Sequence, residues 1–145
     1  MRATGPELTR RMLLFGIAAA SLRADSADDV WERLSTMASD LSAGHVDEFL
    51  ASFEPAMPGY GDLRRAVTAL LAQADVQSSI ELEENSGDDE KRNVEVDWTM
   101  RITRNDEVSG AIKREEKVKV GFEKHRKRWR AVSVAPIEFF GPVKP

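Results

Sequence analysis

Apolar positions recur at helical spacing through the first half of the chain and at alternate positions through the second. Val30, Leu34, Met37 and Leu41 follow one another at steps of four, three and four, and Trp31 and Ala38 widen the stripe. That spacing puts them on one face of a helix. Ser26, with Asp29 three residues on, predicts the helix start as a capping arrangement, and Gly44 predicts its end. Val46, Phe49, Leu50 and Phe53 predict a short second helix over about 46–53, stopped by Pro55 and Pro58. Gly59-Tyr60-Gly61 reads as a loop, and Asp62 as the cap of a third helix burying Leu63, Val67, Leu70 and Leu71.

From Val76 the period becomes two. Val76, Ser78, Ile80 and Leu82 predict a first strand, and Asn85 to Asp89 a turn. Val94, Val96, Trp98, Met100 and Ile102 alternate with Glu95, Asp97, Thr99, Arg101 and Thr103, the cleanest strand signal in the chain. Asn105 to Gly110 turns it into a third strand with Val118, Val120 and Phe122 on one face. Lys124 to Lys127 makes a polar tip, the last strand runs from Trp129 to about Phe140, and residues 141–145 form a loose tail. The second and third strands are expected to pair with Trp98 opposite Val118 and Asp97 opposite Lys119. A shift of two residues, with Asp97 opposite Lys117 and Glu95 opposite Lys119, serves nearly as well. A shift of one would bury lysines. The predicted class is α+β: three N-terminal helices packed on one face of a curved antiparallel sheet of about four strands.

The N-terminus departs from this pattern. Arg2, Arg10 and Arg11 precede an apolar run from Met12 to Ala20, and small residues lead to Ala24. That is the layout of a cleavable signal over residues 1–24. The run falls short of the ~20 apolar residues that span a bilayer. Thr9-Arg10-Arg11-Met12 resembles a twin-arginine export signal. The expectation is an exported protein, periplasmic or secreted, with no stable membrane insertion once the signal is removed. Residues 1–24 hold four of the 21 basic side chains and one of the 25 acids, which leaves −7 on the remainder. A domain with that field repels nucleic acid. With no cysteine and two histidines, His45 and His125, neither a disulfide framework nor a zinc site is expected.

Leu41-Ser42-Ala43-Gly44-His45-Val46-Asp47-Glu48-Phe49-Leu50 forms a helix–Gly–helix corner, and Lys127-Arg128-Trp129-Arg130-Ala131-Val132 opens a final strand at a Trp after a basic turn. With the order of helices and hairpin strands, these segments resemble the nuclear transport factor 2-like superfamily, which includes the SnoaL-like and ketosteroid isomerase-like proteins. The resemblance covers about residues 26–140. It implies a cone-shaped, cystatin-like fold with a pocket that Trp98, Met100, Val96, Val118 and Phe53 would line. It also implies three classes of role: binding of a small apolar ligand or a protein partner; cofactor-free isomerase, dehydratase or hydrolase chemistry; or structural dimerisation. Fold alone does not choose among them. The expectation for this chain is the binding role, as a homodimer through the open face of the sheet.

The residues offer only thin catalytic material. Glu116 and Arg114 share the inward parity of Val118 and Val120, so a mouth carboxylate of raised pKa is one candidate base. A solvated salt bridge is the plainer outcome. His45 lacks an evident partner, and Tyr60 is a lid or an aromatic anchor of its loop. Asp97 falls on the outer face by parity. The acidic stretch Glu81-Glu83-Glu84 lacks a calcium-loop spacing, and no phosphate loop or dinucleotide fingerprint appears. No cofactor and no metal are expected.

Overall fold

The computed structural model describes residues 14–106 and 110–144, and side chains from Asp25 onward. Helix α1 runs Leu14–Ala43 without a break. The expected start at Ser26 is corrected: Ser26 lies within the helix, only 4% exposed. The stretch before it is rich in Ala and Leu and contains no proline, so nothing there interrupts helical geometry. Arg2, Arg10 and Arg11 lie outside the described residues. No helix among the described residues is long and apolar enough to cross a membrane.

Val30, Leu34, Met37 and Leu41 are all fully buried, as the stripe predicts. Burying a side chain of this size contributes about 1.5–3 kcal/mol, against roughly a few tenths per residue from helix propensity. Packing therefore decides how α1 docks. Gly44 ends the helix with φ +76°, and the Gly44 and His45 N–H groups donate to the carbonyls of Leu41 and Asp40. Helix α2 (Val46–Ala51) buries Phe49 and Leu50, and α3 (Tyr60–Gln73) buries Leu63, Val67 and Leu70. The turn after α2 reaches the sheet directly: Ala131 N–H donates to the Ser52 carbonyl at 2.9 Å, and Glu54 N–H to the Ala131 carbonyl at 2.8 Å.

Strands β1 (Ala74–Gly87), β2 (Lys91–Arg104), β3 (Ile112–His125) and β4 (Arg128–Ala135) form one antiparallel meander in sequence order. Bulges between Leu82 and Glu84 and between Gly121 and Phe122 add local twist and curve the sheet around the helices. β1 extends through Asn85 to Gly87, beyond the expected turn. Gly87 (φ +136°) admits no side chain, because a Cβ there would collide with the Lys91 carbonyl. Asp88 closes the turn by accepting the N–H groups of Glu90 and Lys91, each at 2.9 Å. Those two bonds hold its carboxyl below the ordinary aspartate value.

Val94, Val96, Trp98, Met100 and Ile102 are all at most 2% exposed, so the inward face of β2 is as expected. The register is not the preferred one. Trp98 lies opposite Glu116, Val96 opposite Val118, Asp97 opposite Lys117 and Glu95 opposite Lys119. This is the two-residue alternative. Both registers keep apolar side chains inward, so cross-strand charge pairing could not separate them. β4 is also shorter than expected. Pro136 follows Ala135, and the chain turns into a 3₁₀ helix, Ile137–Phe140, in place of more strand.

Candidate functional site

Aromatic side chains pack the interior of the cone. Phe139 and Phe140 turn inward from the 3₁₀ helix, 1% and 0% exposed. The Phe140 ring stands edge-on to Trp98 with centroids 5.1 Å apart and planes at 90°. It lies 5.1 Å from Phe139 and 5.7 Å from Phe49, and Phe49 continues to Phe53 at 5.1 Å. The edge-to-face pairs, Phe140 with Trp98 and with Phe139, add about 0.5–1.5 kcal/mol each beyond area burial. All five residues expected to line a pocket, Trp98, Met100, Val96, Val118 and Phe53, are indeed inside. They form a packed core around the two C-terminal phenylalanines.

Arg114 holds this plug in place. It lies opposite Met100 on the inner face. Its Nη1 donates to the carbonyls of Phe139 and Gly141, both at 2.7 Å. Burial lowers the guanidinium pKa, and the charge of Glu116 opposes that shift. Gln73 fastens the chain further along, accepting the Val143 N–H at 2.8 Å. The segment expected to be loose from Gly141 is thus tied down through Val143. Arg114 thus clasps the main chain of this segment.

The other candidate residues are dispersed. Glu116 is exposed on β3. His45 precedes α2 with an exposed side chain, while its backbone carbonyl accepts the Phe49 N–H at 3.0 Å. Near it, Asp40 is raised, by burial first and by Glu48 second, with His45 and Arg33 opposing. Tyr60 opens α3 and packs half-buried against the core. No hydrogen bond joins Glu116, His45 and Tyr60 among the described residues. The buried polar side chains among the described residues are Ser26, Ser52 and Arg92, none of them a carboxylic acid.

The polar features of the sheet lie on its outer face. A hollow of about 440 Å³ opens there, lined in part by Glu84, Asn93, Glu95, Lys119, Gly121 and Ser133. Beside it, carboxylate oxygens of Glu81, Glu83 and Asp97 come within 4.8 Å of one another. Lys117 Nζ stands 3.7 Å from Glu83, so the protein's own lysine supplies countercharge to that trio. Register sets like charges directly opposite at three places: Glu81 faces Asp97, Glu84 faces Glu95, and Arg101 faces Lys113. Such pairs are destabilising in an isolated sheet. Sequence parity alone could not reveal them, because they depend on the bulge and on the register.

No protein-family model matches the chain, and no curated protein matches it. Solved structures do. One from Novosphingobium aromaticivorans, provisionally named as an aromatic ring hydroxylase, superposes with a TM-score of 0.65 at 11% identity, over 77% of this chain and 87% of that one. A cystatin-like protein of unknown function from Nostoc punctiforme gives 0.59 at 17% identity, over 73% and 85%. An NTF2-like protein of unknown function from Shewanella oneidensis gives 0.57 at 13% identity, over 74% and 94%. The chain therefore has the nuclear transport factor 2-like, cystatin-like fold. At these identities the likeness carries the architecture and not an activity.

Proposed function

We propose that this NTF2-like domain is an exported, cofactor-free binding module that works through the outer face of its sheet as a homodimer. The observation that carries this reading is the plugged cone. Phe139 and Phe140 occupy the place where a small apolar ligand or a substrate would sit, and among the described residues no buried acid accompanies them.

A second copy suits the outer face by charge. Acids gather on β1 and β2, at Glu81, Glu83, Glu84, Glu95 and Asp97, while Lys113, Lys117 and Lys119 lie along β3. A two-fold axis brings the acidic half of one sheet over the basic half of the other, as an isologous contact requires. It also relieves the like-charge pairs that each sheet holds alone. The hollow beside Lys119 offers a seat for a partner side chain. Sedimentation between low and 1 M salt tests this. The expected result is a dimer at low salt that dissociates as the charges are screened. A dimer untouched by 1 M salt, or a monomer throughout, overturns it.

Export is supported by the Arg-rich start and the apolar run before Ala24. Mass spectrometry of protein expressed with its own N-terminus should find a mature species beginning near Asp25. Full-length protein kept in the cytoplasm counts against export.

A further inference from the structure

Two rows of side chains cross all four strands on the outer face of the sheet, and both line the hollow of about 440 Å³. One row reads Glu84, Glu95, Lys119, Ala135, and the next reads Ser86, Asn93, Gly121, Ser133. We infer that the two-fold axis of the outer-face dimer runs parallel to the strands, between β2 and β3. Each hollow then receives Glu84 and Asn93 of the second copy, and each Lys119 meets Glu95 of the second copy. This pairing rests on the outer-face dimer and specifies how its two copies engage.

The rows decide the direction of the axis. Sheets that pack face to face keep their strands within about 30° of one another. A two-fold axis between two such sheets therefore runs either across the strands or along them. An axis across the strands lays β1 on β1 and β2 on β2. It sets Glu81, Glu84, Glu95 and Asp97 against the same acids of the second copy, which like charges disfavour. An axis along the strands lays β2 on β3 and β1 on β4, and reverses each row. The order acid, acid, base, alanine then meets alanine, base, acid, acid. Glu95 lies over Lys119, and Glu84 lies over Ala135 beside that same lysine. The row is self-complementary, as an isologous contact requires.

One chain leaves these charges unanswered. Glu84 is set directly opposite Glu95, a destabilising arrangement. Register places Lys119 opposite Glu95, yet among the described residues none of Glu84, Glu95 and Lys119 belongs to an ion pair. Lys119 of the second copy, set over these two acids, supplies the countercharge, and the symmetry repeats the contact in the other half.

The second row supplies the fit. Gly121 lies within β3 and lacks the positive φ that would demand glycine. The extra residue of the neighbouring bulge, Val132, is on β4. A Cβ on Gly121 would crowd only the Ser133 hydroxyl, which can rotate away. The chain's own packing therefore does not require this side chain to be missing. Glycine inside a strand costs stability and marks a place that another chain approaches closely. Reversing the row lays Asn93 of the second copy over Gly121. A long side chain thus stands over a small one in both rows, Glu84 over Ala135 and Asn93 over Gly121.

The test is sedimentation of charge-swapped variants of the full chain at low salt. Lys119→Glu is one variant, and Glu84→Lys combined with Glu95→Lys is the other. Each alone should self-associate about tenfold or more weakly than the wild type, because like charges then oppose one another in both halves. Mixed in equal amounts, the two should form a heterodimer of about wild-type affinity, since one half carries the swapped pair and the other half the native pair. Ser133→Phe, at an exposed position, fills the hollow without changing charge and should weaken the dimer by a similar factor. Far-UV circular dichroism establishes that each variant is folded. A swap or a Ser133→Phe variant that self-associates like the wild type, or a mixture that stays monomeric, overturns this pairing. A wild type that dimerises while the swaps have no effect defeats the pairing alone; a wild type that never dimerises removes the outer-face dimer itself.

Discussion

Trp98→Ala should destabilise the domain by about 3–5 kcal/mol, the range for emptying a buried aromatic site. Trp98 is fully buried, and its ring meets Phe139 at 6.3 Å and Phe140 at 5.1 Å, both edge-on. Truncation removes both aromatic contacts together. It also removes the indole donor to Ser78 Oγ, a hydrogen bond of 2.6 Å. That bond belongs to a short chain of contacts: Ser78 N–H in turn donates to Ser42 Oγ on α1 at 2.8 Å. Trp98 thus ties β2 to the edge strand at the point where α1 covers it, which shields an otherwise open strand edge. Urea denaturation measures the loss. Trp98→Phe separates the two parts, since it keeps most of the apolar contact and sacrifices only the hydrogen bond, for about 1 kcal/mol. A loss below ~1 kcal/mol for the alanine variant would mean that Trp98 does not face the core.

The inward face of the sheet was legible in the sequence because period-two alternation is a local property. Val94 to Ile102 could face the core only one way, since the opposite phase would bury Glu95, Asp97 and Arg101. The helices were legible for the same reason, through stripes such as Val30, Leu34, Met37 and Leu41. What stayed hidden depends on contacts between distant segments. Register was one such property: two pairings two residues apart kept the same faces inward, and local charge could not rank them. The fate of Phe139 and Phe140 was another. In sequence they read as the end of a two-sided apolar strand. Pro136, which removes a backbone donor at that point, was the signal that the strand stops there. With the strand ended, the two rings go to the nearest unfilled apolar volume, which is the cone.

The candidate site moved for the same physical reason. Glu116 and Arg114 were singled out correctly as inward by parity, but parity does not say what a side chain meets. Arg114 meets two main-chain carbonyls that the 3₁₀ helix leaves without partners, and a guanidinium with several donors suits that task. Glu116 sits further out and is exposed. Arg114 pins the main chain of the inward-turning segment from the inner face of the sheet. The surface that could not be read from one strand at a time, the like-charge pairs of Glu81 with Asp97 and Glu84 with Glu95, becomes the more informative face.

Phe140→Ala should cost about 3–5 kcal/mol and should also convert a filled cone into one that takes up small apolar molecules. Phe140 is fully buried among Trp98, Phe139 and Phe49. Its neighbours are themselves pinned: Phe139 and Gly141 by Arg114, and Val143 by Gln73. The backbone of the plug therefore has little freedom to collapse into the space a missing ring leaves. A void lined by Trp98, Phe49 and Phe139 is apolar, so water gains nothing by entering it, and benzene does. Thermal unfolding with and without benzene reads the effect. The variant's melting temperature should rise with benzene by mass action, since a ligand that binds only the folded state stabilises it. The wild-type protein should show no such rise, because Phe140 already fills the volume. An equal rise in the wild type would mean that the cone admits apolar ligands in the native protein, and would return the interior of the cone to first place as the binding site.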